Sequence, residues 1–198
     1  MTGTTPAFAF RYPSLGDPPD GPTQIQNLAT DVENKIVTMD STIATNTANI
    51  STLTIRPRAN IRQTAVQSIP NGAYTSISFQ TEDYDTPSGH DPVTNNTRYT
   101  APITGKYTFS GGVAFVANGS GLRGTRWAKN GTALNASASM FVTVGAGAAS
   151  RITAQTIGVD LAAGDFVELQ AFQDTGGAIN TFATAENASF MHVLYEGV

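Results

Sequence analysis

Apolar residues between Ile25 and Leu53 recur at alternating steps of four and three residues. This spacing returns a side chain to one line of a helix about every 3.5 residues, so the helix can bury that line only by winding around other helices. The line, called the seam below, comprises heptad positions a and d: Ile25, Ala29, Val32, Ile36, Met39, Ile43, Asn46, Ile50 and Leu53. The sequence therefore predicts self-association through a parallel coiled coil.

The composition of the seam indicates three strands rather than two. β-branched residues occupy both a and d, which crowds a two-stranded core, and Asn46 at d weakens the core while fixing its register and copy number. A single amphipathic helix packed on a neighbouring domain is the alternative. The Thr-rich stretch from Thr42 to Thr54 favours the coiled coil, because its low helix propensity requires partners along the apolar line.

The segment Ile43–Thr47 reads I-x-x-N-T and resembles the polar core layers of trimeric fibrous adhesins and phage fibre stalks. In those layers three inward Asn side chains satisfy one another or hold an anion on the axis. The resemblance implies a homotrimer. It also allows an anion on the axis at Asn46, and no cofactor is expected.

Composition excludes several classes of function. Charged residues are 13% of the chain and the net charge is -4, so the chain offers no basic surface for nucleic acid. No apolar run approaches the roughly 20 residues of a bilayer span, and the N-terminus lacks the order of a secretory signal. The absence of cysteine excludes disulfides, zinc-thiolate sites and cysteine nucleophiles. We expect synthesis in the cytoplasm and no membrane insertion.

Residues 1–22 contain five prolines, which forbid a regular helix or a central strand, so we expect an extended segment. Its apolar residues predict an anchor that fills pockets on another protein: Phe8, Phe10, Tyr12, Pro13 and Leu15. A tail that folds back on its own domain, or one that is disordered, is the alternative. From Tyr12 to Ala29 the chain resembles the "YP...D.P.....LA" leader of structural proteins from tailed phages of actinobacteria. That resemblance implies attachment to other virion proteins.

A helix is predicted over 23–56. Thr23 and Gln26 have the spacing of a capping box, Pro22 stops helical structure upstream, and the Arg56-Pro57-Arg58 sequence ends the helix.

From Ile61 to Val198 the apolar period changes from 3.5 to 2, which indicates strands. Turns rich in Gly, Asn, Asp and Pro separate the alternating runs Tyr74–Phe79, Lys106–Val116, Gly124–Lys129, Ile152–Val159, Phe166–Phe172 and Ser189–Tyr195. Asn130-Gly131 is a hairpin signal, and the glycine-rich stretch Val144–Ala149 is typical of a loop. Eight to ten short strands without a helix predict a β-sandwich or jelly roll.

Four motifs of this region resemble the globular head of complement component one q and its tumour-necrosis-factor relatives. The first comprises Tyr99, Ala101, Pro102, Gly105, Lys106, Tyr107 and Phe109; the second is Lys129-Asn130-Gly131; the third comprises Leu161, Gly164, Asp165, Val167 and Leu169; the fourth comprises Ser189, Phe190, Leu194 and Tyr195. The resemblance implies a ten-strand jelly roll that trimerises along its own threefold axis. The family's collagen repeats and cysteines are missing, so its immune role does not carry over.

Few residues suggest chemistry. The densest polar cluster is predicted to be a solvated loop, with a calcium site or a glycosidase carboxylate pair as alternatives: Glu82, Asp83, Asp85, His90 and Asp91. Trp127 beside Arg123, Arg126 and Lys129 is either a core residue or the centre of a sugar- or partner-binding patch. His192 is expected to be structural. No nucleophile elbow, phosphate-binding loop or zinc-protease motif is present, and we expect no enzymatic activity.

Together these features predict a mainly β chain with an extended virion-anchor segment (1–22), a trimeric coiled-coil stalk (23–56) and a jelly-roll head (57–198). The predicted function is a homotrimeric virion appendage of a tailed bacteriophage, with a head for host-surface adhesion or decoration. The exposed loops that connect strands, including Glu82–Asp91 and Gly119–Arg123, are where a contact with the host surface or with a glycan is expected. A polysaccharide-degrading tail enzyme, a capsid or collar decoration protein without host binding, and a secreted bacterial trimer are the alternatives.

Overall fold

A computed structural model describes residues 3–4, 11–12, 21–54, 56–142, 149–184 and 186–198. The chain divides into two units, Met1–Thr54 and Ile55–Val198. In the first unit, β1 (Gly3–Thr4) pairs antiparallel with β2 (Arg11–Tyr12), and α1 spans Gly21–Thr54. The predicted anchor residues Phe8, Phe10, Pro13 and Leu15 lie outside the described residues, and Tyr12 belongs to β2.

The helix α1 has 34 residues and begins two residues earlier than the sequence predicts. Pro22 therefore lies in the first turn, where a missing backbone N–H costs nothing and a fixed φ suits the helix, so it does not stop the helix. Thr23 consequently lies inside the helix rather than at its cap. Hydroxyls of Thr38, Thr42 and Thr45 donate to backbone carbonyls one turn earlier, which satisfies them within the helix. No stretch of α1 is apolar enough to cross a lipid bilayer.

The second unit is a β-sandwich. Its described strands are β3 (Arg58–Arg62), β4 (Ser68–Ile69), β5 (Thr75–Ser76), β6 (Thr81–Thr86), β7 (Arg98–Thr100), β8 (Gly105–Phe115), β9 (Leu122–Lys129), β10 (Thr132–Ala133), β11 (Ser139–Val142), β12 (Ser150–Leu161), β13 (Phe166–Gln173), β14 (Ile179–Asn180) and β15 (Phe190–Gly197). The structure describes thirteen strands in this unit, and four of them have only two residues each. The predicted count of ten strands is therefore not confirmed.

Two antiparallel sheets form the layers of the sandwich. One sheet has the order β12-β8-β15-β3-β6. In the other, β9 pairs with β13, β10 and β11 flank β9, and β5 and β7 flank β13. Between the sheets lies a core of buried side chains that includes Tyr99, Tyr107, Phe109, Trp127, Val167, Leu169, Met191 and Val193. Alternation along each long strand sends every second residue into this core.

The longer strands occupy the runs that the sequence predicts, with small shifts at their ends. The hairpin between β9 and β10 turns at Asn130 and Gly131, which have φ of 49° and 79°. Those positive values are the reason why an Asn-Gly pair suits this turn. The predicted loop Val144–Ala149 lies outside the described residues except for Ala149.

The register of the strands defines two ends of the sandwich. At one end, the entry end, the Tyr195 backbone N–H donates to the Pro57 carbonyl at 2.9 Å, so the first and last strands meet. Residues 116–121, which follow β8, and the described residues 181–184 and 186–189, which precede β15, lie at the opposite end. The segment after β6 begins at the entry end and runs along the side of the sandwich. There the Phe79 backbone N–H donates to the Asn96 carbonyl.

Candidate functional site

The seam of α1 is exposed in the isolated chain. Ile25 is 71% exposed, Ile36 51%, Met39 56%, Ile43 58% and Ile50 62%. Large apolar side chains that are exposed along one line of a helix can bury area against a partner. The side chain of Leu53 lies outside the described residues, and Asn46 is exposed with the rest of the line. The apolar side chains of the seam are thus accessible to partner helices, which the predicted coiled coil requires.

The outer face of the five-stranded sheet is a second exposed surface. Leu194 is 42% exposed and Tyr84 is 39% exposed, and the hydroxyl of Tyr84 lies 2.8 Å from Nε2 of His192. Beside them an open groove of about 410 Å³ is lined by Arg62, Phe190 and other residues of this face. This face therefore combines apolar, aromatic and charged groups. His192, which the sequence expects to be structural, lies partly exposed in this groove.

The acidic cluster lies only partly in the loop that the sequence predicts, because the last two of its five residues follow β6 outside any described strand. Glu82, Asp83 and Asp85 belong to β6, which pairs only with β3 among the described strands and forms an edge of the five-stranded sheet. Charged side chains on an edge strand discourage pairing with other chains, so this composition suits the position. Asp83 faces β3, where its Oδ1 accepts a hydrogen bond from Nε of Arg62 at 2.9 Å.

The carboxylates at this edge hold the segment that follows β6. Oε1 of Glu82 lies 2.9 Å from Nδ1 of His90, whose side chain is fully buried. Oδ2 of Asp85 accepts the backbone N–H groups of Gly89 and His90 at 2.7 and 2.8 Å. The carboxylate of Asp91 accepts two backbone N–H groups, and these hydrogen bonds lower its pKa. The cluster thus acts as a structural support.

The second oxygen of Asp85 has no hydrogen-bond partner among the described residues, and burial raises the pKa of this carboxyl. A calcium ion needs six to eight oxygen ligands. Within the described parts of the chain, no group of three or more acidic or histidine side chains is arranged to hold a metal ion. The calcium alternative gains no support from this geometry.

Arg123 and Trp127 do not form an exposed ligand patch, because both side chains are fully buried on the inner face of β9. Nε1 of Trp127 donates to the Gln155 carbonyl at 2.6 Å. The guanidinium of Arg123 donates to the carbonyls of Asn118 and Ser120 and so holds the loop before β9. Burial lowers the pKa of Arg123 from its ordinary value. The core position of Trp127, which the sequence left as an alternative, is the one observed.

An open cavity of about 640 Å³ at the entry end contains an ion pair. Nζ of Lys129 lies 2.8 Å from Oδ2 of Asp165, and the amide of Asn130 donates to Oδ1 of the same carboxylate. Together these contacts lower the pKa of Asp165 to about 2.

Substituting Asp165→Asn should make the head less stable at pH 7, and the difference from the wild type should shrink as the pH falls from about 4 to about 2. A carboxyl with a lowered pKa stabilises the fold above its unfolded-state pKa, and that stabilisation is lost as the folded carboxyl is protonated. Urea unfolding of both proteins at several pH values measures this difference in the free energy of unfolding. Asp160→Asn, at an exposed carboxylate of the same cavity, is the control. A pH-independent difference for Asp165→Asn contradicts the assignment.

Comparisons with solved structures identify the fold of the head. A crystal structure of murine APRIL at pH 8.5 matches with a TM-score of 0.54 and 10% identity, over 71% of this chain and 99% of that chain. A structure of murine APRIL at pH 5.0 matches with a TM-score of 0.53 and 12% identity over the same shares. The head is therefore a jelly roll of the tumour-necrosis-factor type, as the four motifs predict. No protein-family model and no curated protein sequence matches the chain.

Proposed function

We propose that the protein is a homotrimeric structural appendage of a tailed-phage virion, with an N-terminal anchor, a coiled-coil stalk and jelly-roll heads that adhere to the host surface. The exposed seam of α1 is the observation that carries the proposal, since an apolar line of this length is stable in water only when other helices cover it. Attachment to a virion is supported by the resemblance of the leader around Tyr12 and Pro13 to phage structural proteins.

The outer face of the five-stranded sheet is the surface through which we expect the heads to meet. Tyr84, Phe190 and Leu194 present apolar area there, and the Arg62–Asp83 ion pair lies at its border. Only three residues separate the last residue of α1 from the first residue of β3. Three heads on one stalk are therefore tethered at high effective concentration, so even a weak contact between them forms.

Three linked heads also suit adhesion. Each copy presents the same surface, and a weak site on each copy acts together with the others when the target is a repeating polymer. A polysaccharide-degrading enzyme would need two free carboxyl groups about 5 to 10 Å apart in a groove. The acids of β6 are instead bound to Arg62, to His90 and to backbone amides. Adhesion or decoration is thus better supported than hydrolysis.

Immunogold labelling of phage particles with antibodies against the head tests the location. We expect label on the virion, and purified protein should slow adsorption of the phage to its host. Label without any effect on adsorption would favour the capsid or collar decoration protein. Particles that carry no label would overturn the proposal.

Substituting Asn46→Ile should raise the melting temperature of the trimer, because it replaces three buried amides in one core layer by apolar side chains. The same change should weaken the preference for three strands, and sedimentation equilibrium should then detect other oligomers. If an anion lies at Asn46, the wild type should melt at a temperature that depends on the anion in the buffer, and the variant should not. A lower melting temperature for the variant would contradict a core position of Asn46.

A further inference from the structure

The outer face of the six-stranded sheet carries side chains that the proposed function has not yet used. On β13, Val167, Leu169 and Ala171 are buried in the core, so alternation places the intervening residues on the opposite face. These outward residues are Phe166, Glu168, Gln170 and Phe172. They belong to a row of aromatic and planar polar groups along one strand.

One end of this row is an aromatic and cationic cluster. The rings of Tyr74 and Phe172 have centroids 5.1 Å apart, and the guanidinium carbon of Arg126 lies 3.6 Å above the centroid of the Tyr74 ring. Nε of Arg126 donates to Oε1 of Gln170 at 2.7 Å, and Nε2 of Gln170 donates to Oγ of Ser76 at 3.3 Å. These contacts fix the guanidinium flat on the ring.

The positive charge of Arg126 is not neutralised by this cluster. Its two terminal amino groups have no hydrogen-bond acceptor among the described residues, and no described carboxylate lies within ion-pair distance of it. An arginine that is oriented by a ring and a side-chain amide, and whose two terminal amino groups have no described acceptor, is prepared for a bidentate contact with an anionic group.

The other end of the row repeats this chemistry. The guanidinium carbon of Arg98 lies 4.5 Å above the ring centroid of Phe166, on the same face of the sheet. Phe166 and Phe172 are six residues apart on one strand, which corresponds to about 20 Å. Between them, Oε1 of Glu168 accepts a hydrogen bond from the hydroxyl of Thr97. The β13 stripe, defined as Arg98, Phe166, Phe172, Tyr74 and Arg126, is thus elongated and has more positive than negative charge.

We propose that the β13 stripe binds an acidic polysaccharide, a linear polymer whose sugars carry carboxylates. The guanidinium groups of Arg126 and Arg98, which lie over the rings of Tyr74 and Phe166, offer planar donors and positive charge to the carboxylates of the polymer. The stripe is long and narrow, whereas a stable protein interface needs about 800 Å² on each partner with an apolar centre. A polymer strand therefore fits better than a protein. This inference rests on the proposed adhesive function and names its ligand class.

Affinity electrophoresis of the purified full-length protein tests the proposal. The gels contain polygalacturonate, alginate or hyaluronan, which are polymers with carboxylate-bearing sugars, or dextran as a neutral polymer. We expect retardation by at least one of the acidic polymers and none by dextran. Retardation by dextran equal to that by the acidic polymers would overturn the role of charge, and the absence of retardation by all three acidic polymers would overturn the proposal.

Variants of the stripe locate the binding. Arg126→Gln and Tyr74→Ala should each weaken apparent affinity by about tenfold, since each removes one half of the stacked pair. Arg126→Lys keeps the charge but loses the planar fork, so it should weaken binding by a smaller factor. Lys106→Gln, which removes an exposed positive charge on the other sheet, is the matched control and should change affinity by less than about twofold. Circular dichroism and melting curves check that all variants fold.

Equal binding by the wild type, Arg126→Gln and Tyr74→Ala would place the polymer elsewhere and overturn the assignment. If binding to host cells depends on Arg126 but is abolished by treating the cells with protease, the ligand is a protein and the proposal fails. Particle labelling is independent of these results. If the virion is labelled but the protein binds no acidic polymer, only the inference about the β13 stripe is contradicted. If the virion is not labelled, the proposed function is contradicted and the polymer measurement remains valid.

Discussion

Substituting Ile36→Asp should convert the trimer into monomers while the head stays folded. Ile36 lies at an a position of the seam and is 51% exposed in the isolated chain, so assembly removes its side chain from water in all three copies. Each copy then loses about 1.5 to 3 kcal/mol of apolar burial. Three carboxylates at one level of the axis add a desolvation cost of several kcal/mol per ion. Sedimentation velocity measures the change in mass.

The control for this substitution lies at the next residue. Val37 is 69% exposed but occupies position b, which faces solvent in a coiled coil. Val37→Asp introduces the same charge into the same turn of α1 and should leave the trimer intact. Dissociation by both variants would indicate that helix content, rather than the seam, controls assembly. A trimer that survives Ile36→Asp would show that the heads alone hold the copies together.

Substituting Trp127→Ala should lower the free energy of unfolding of the head by about 3 to 5 kcal/mol. The side chain is fully buried, its ring centroid lies 5.7 Å from that of Phe109, and its Nε1–H donates to the Gln155 carbonyl. The variant therefore loses a large apolar contact area and leaves a carbonyl without its donor. Because Trp127 is the only tryptophan, unfolding in urea must be followed by far-ultraviolet circular dichroism.

Phe141→Ala is the matched aromatic control. This side chain is 57% exposed at the sheet edge, so its truncation should change the free energy of unfolding by less than about 1 kcal/mol. A loss for Trp127→Ala no larger than that for Phe141→Ala would contradict the core position of Trp127. It would instead return this residue to the surface patch that the sequence allowed.

Patterns that depend on local periodicity could be predicted from the sequence. The spacing of apolar residues along the seam from Ile25 to Leu53 predicts a helix. The alternation of apolar and polar residues in β8, β13 and β15 predicts strands of the sandwich. The Asn130-Gly131 turn follows from two residues that tolerate positive φ. Each of these depends on neighbours in the chain, so no distant contact had to be known.

Positions that depend on pairing across the fold could not be predicted. β6 carries Glu82, Asp83 and Asp85, which resemble a loop in composition, and only its ladder with β3 makes it a strand. The sequence places Arg123 beside Trp127 in a possible binding patch, whereas carbonyls of the preceding loop satisfy its guanidinium inside the sandwich. Alternation could have found the β13 stripe, since an inward Trp127 requires an outward Arg126.

The edge strand β11 has a practical consequence. Met140, Phe141 and Val142 are 52%, 57% and 60% exposed, and among the described strands β11 pairs only with β9. An edge strand with unpaired backbone groups and exposed apolar side chains favours pairing with strands of other molecules. The protein should therefore precipitate at high protein concentration, and Val142→Lys should raise the concentration at which it stays in solution.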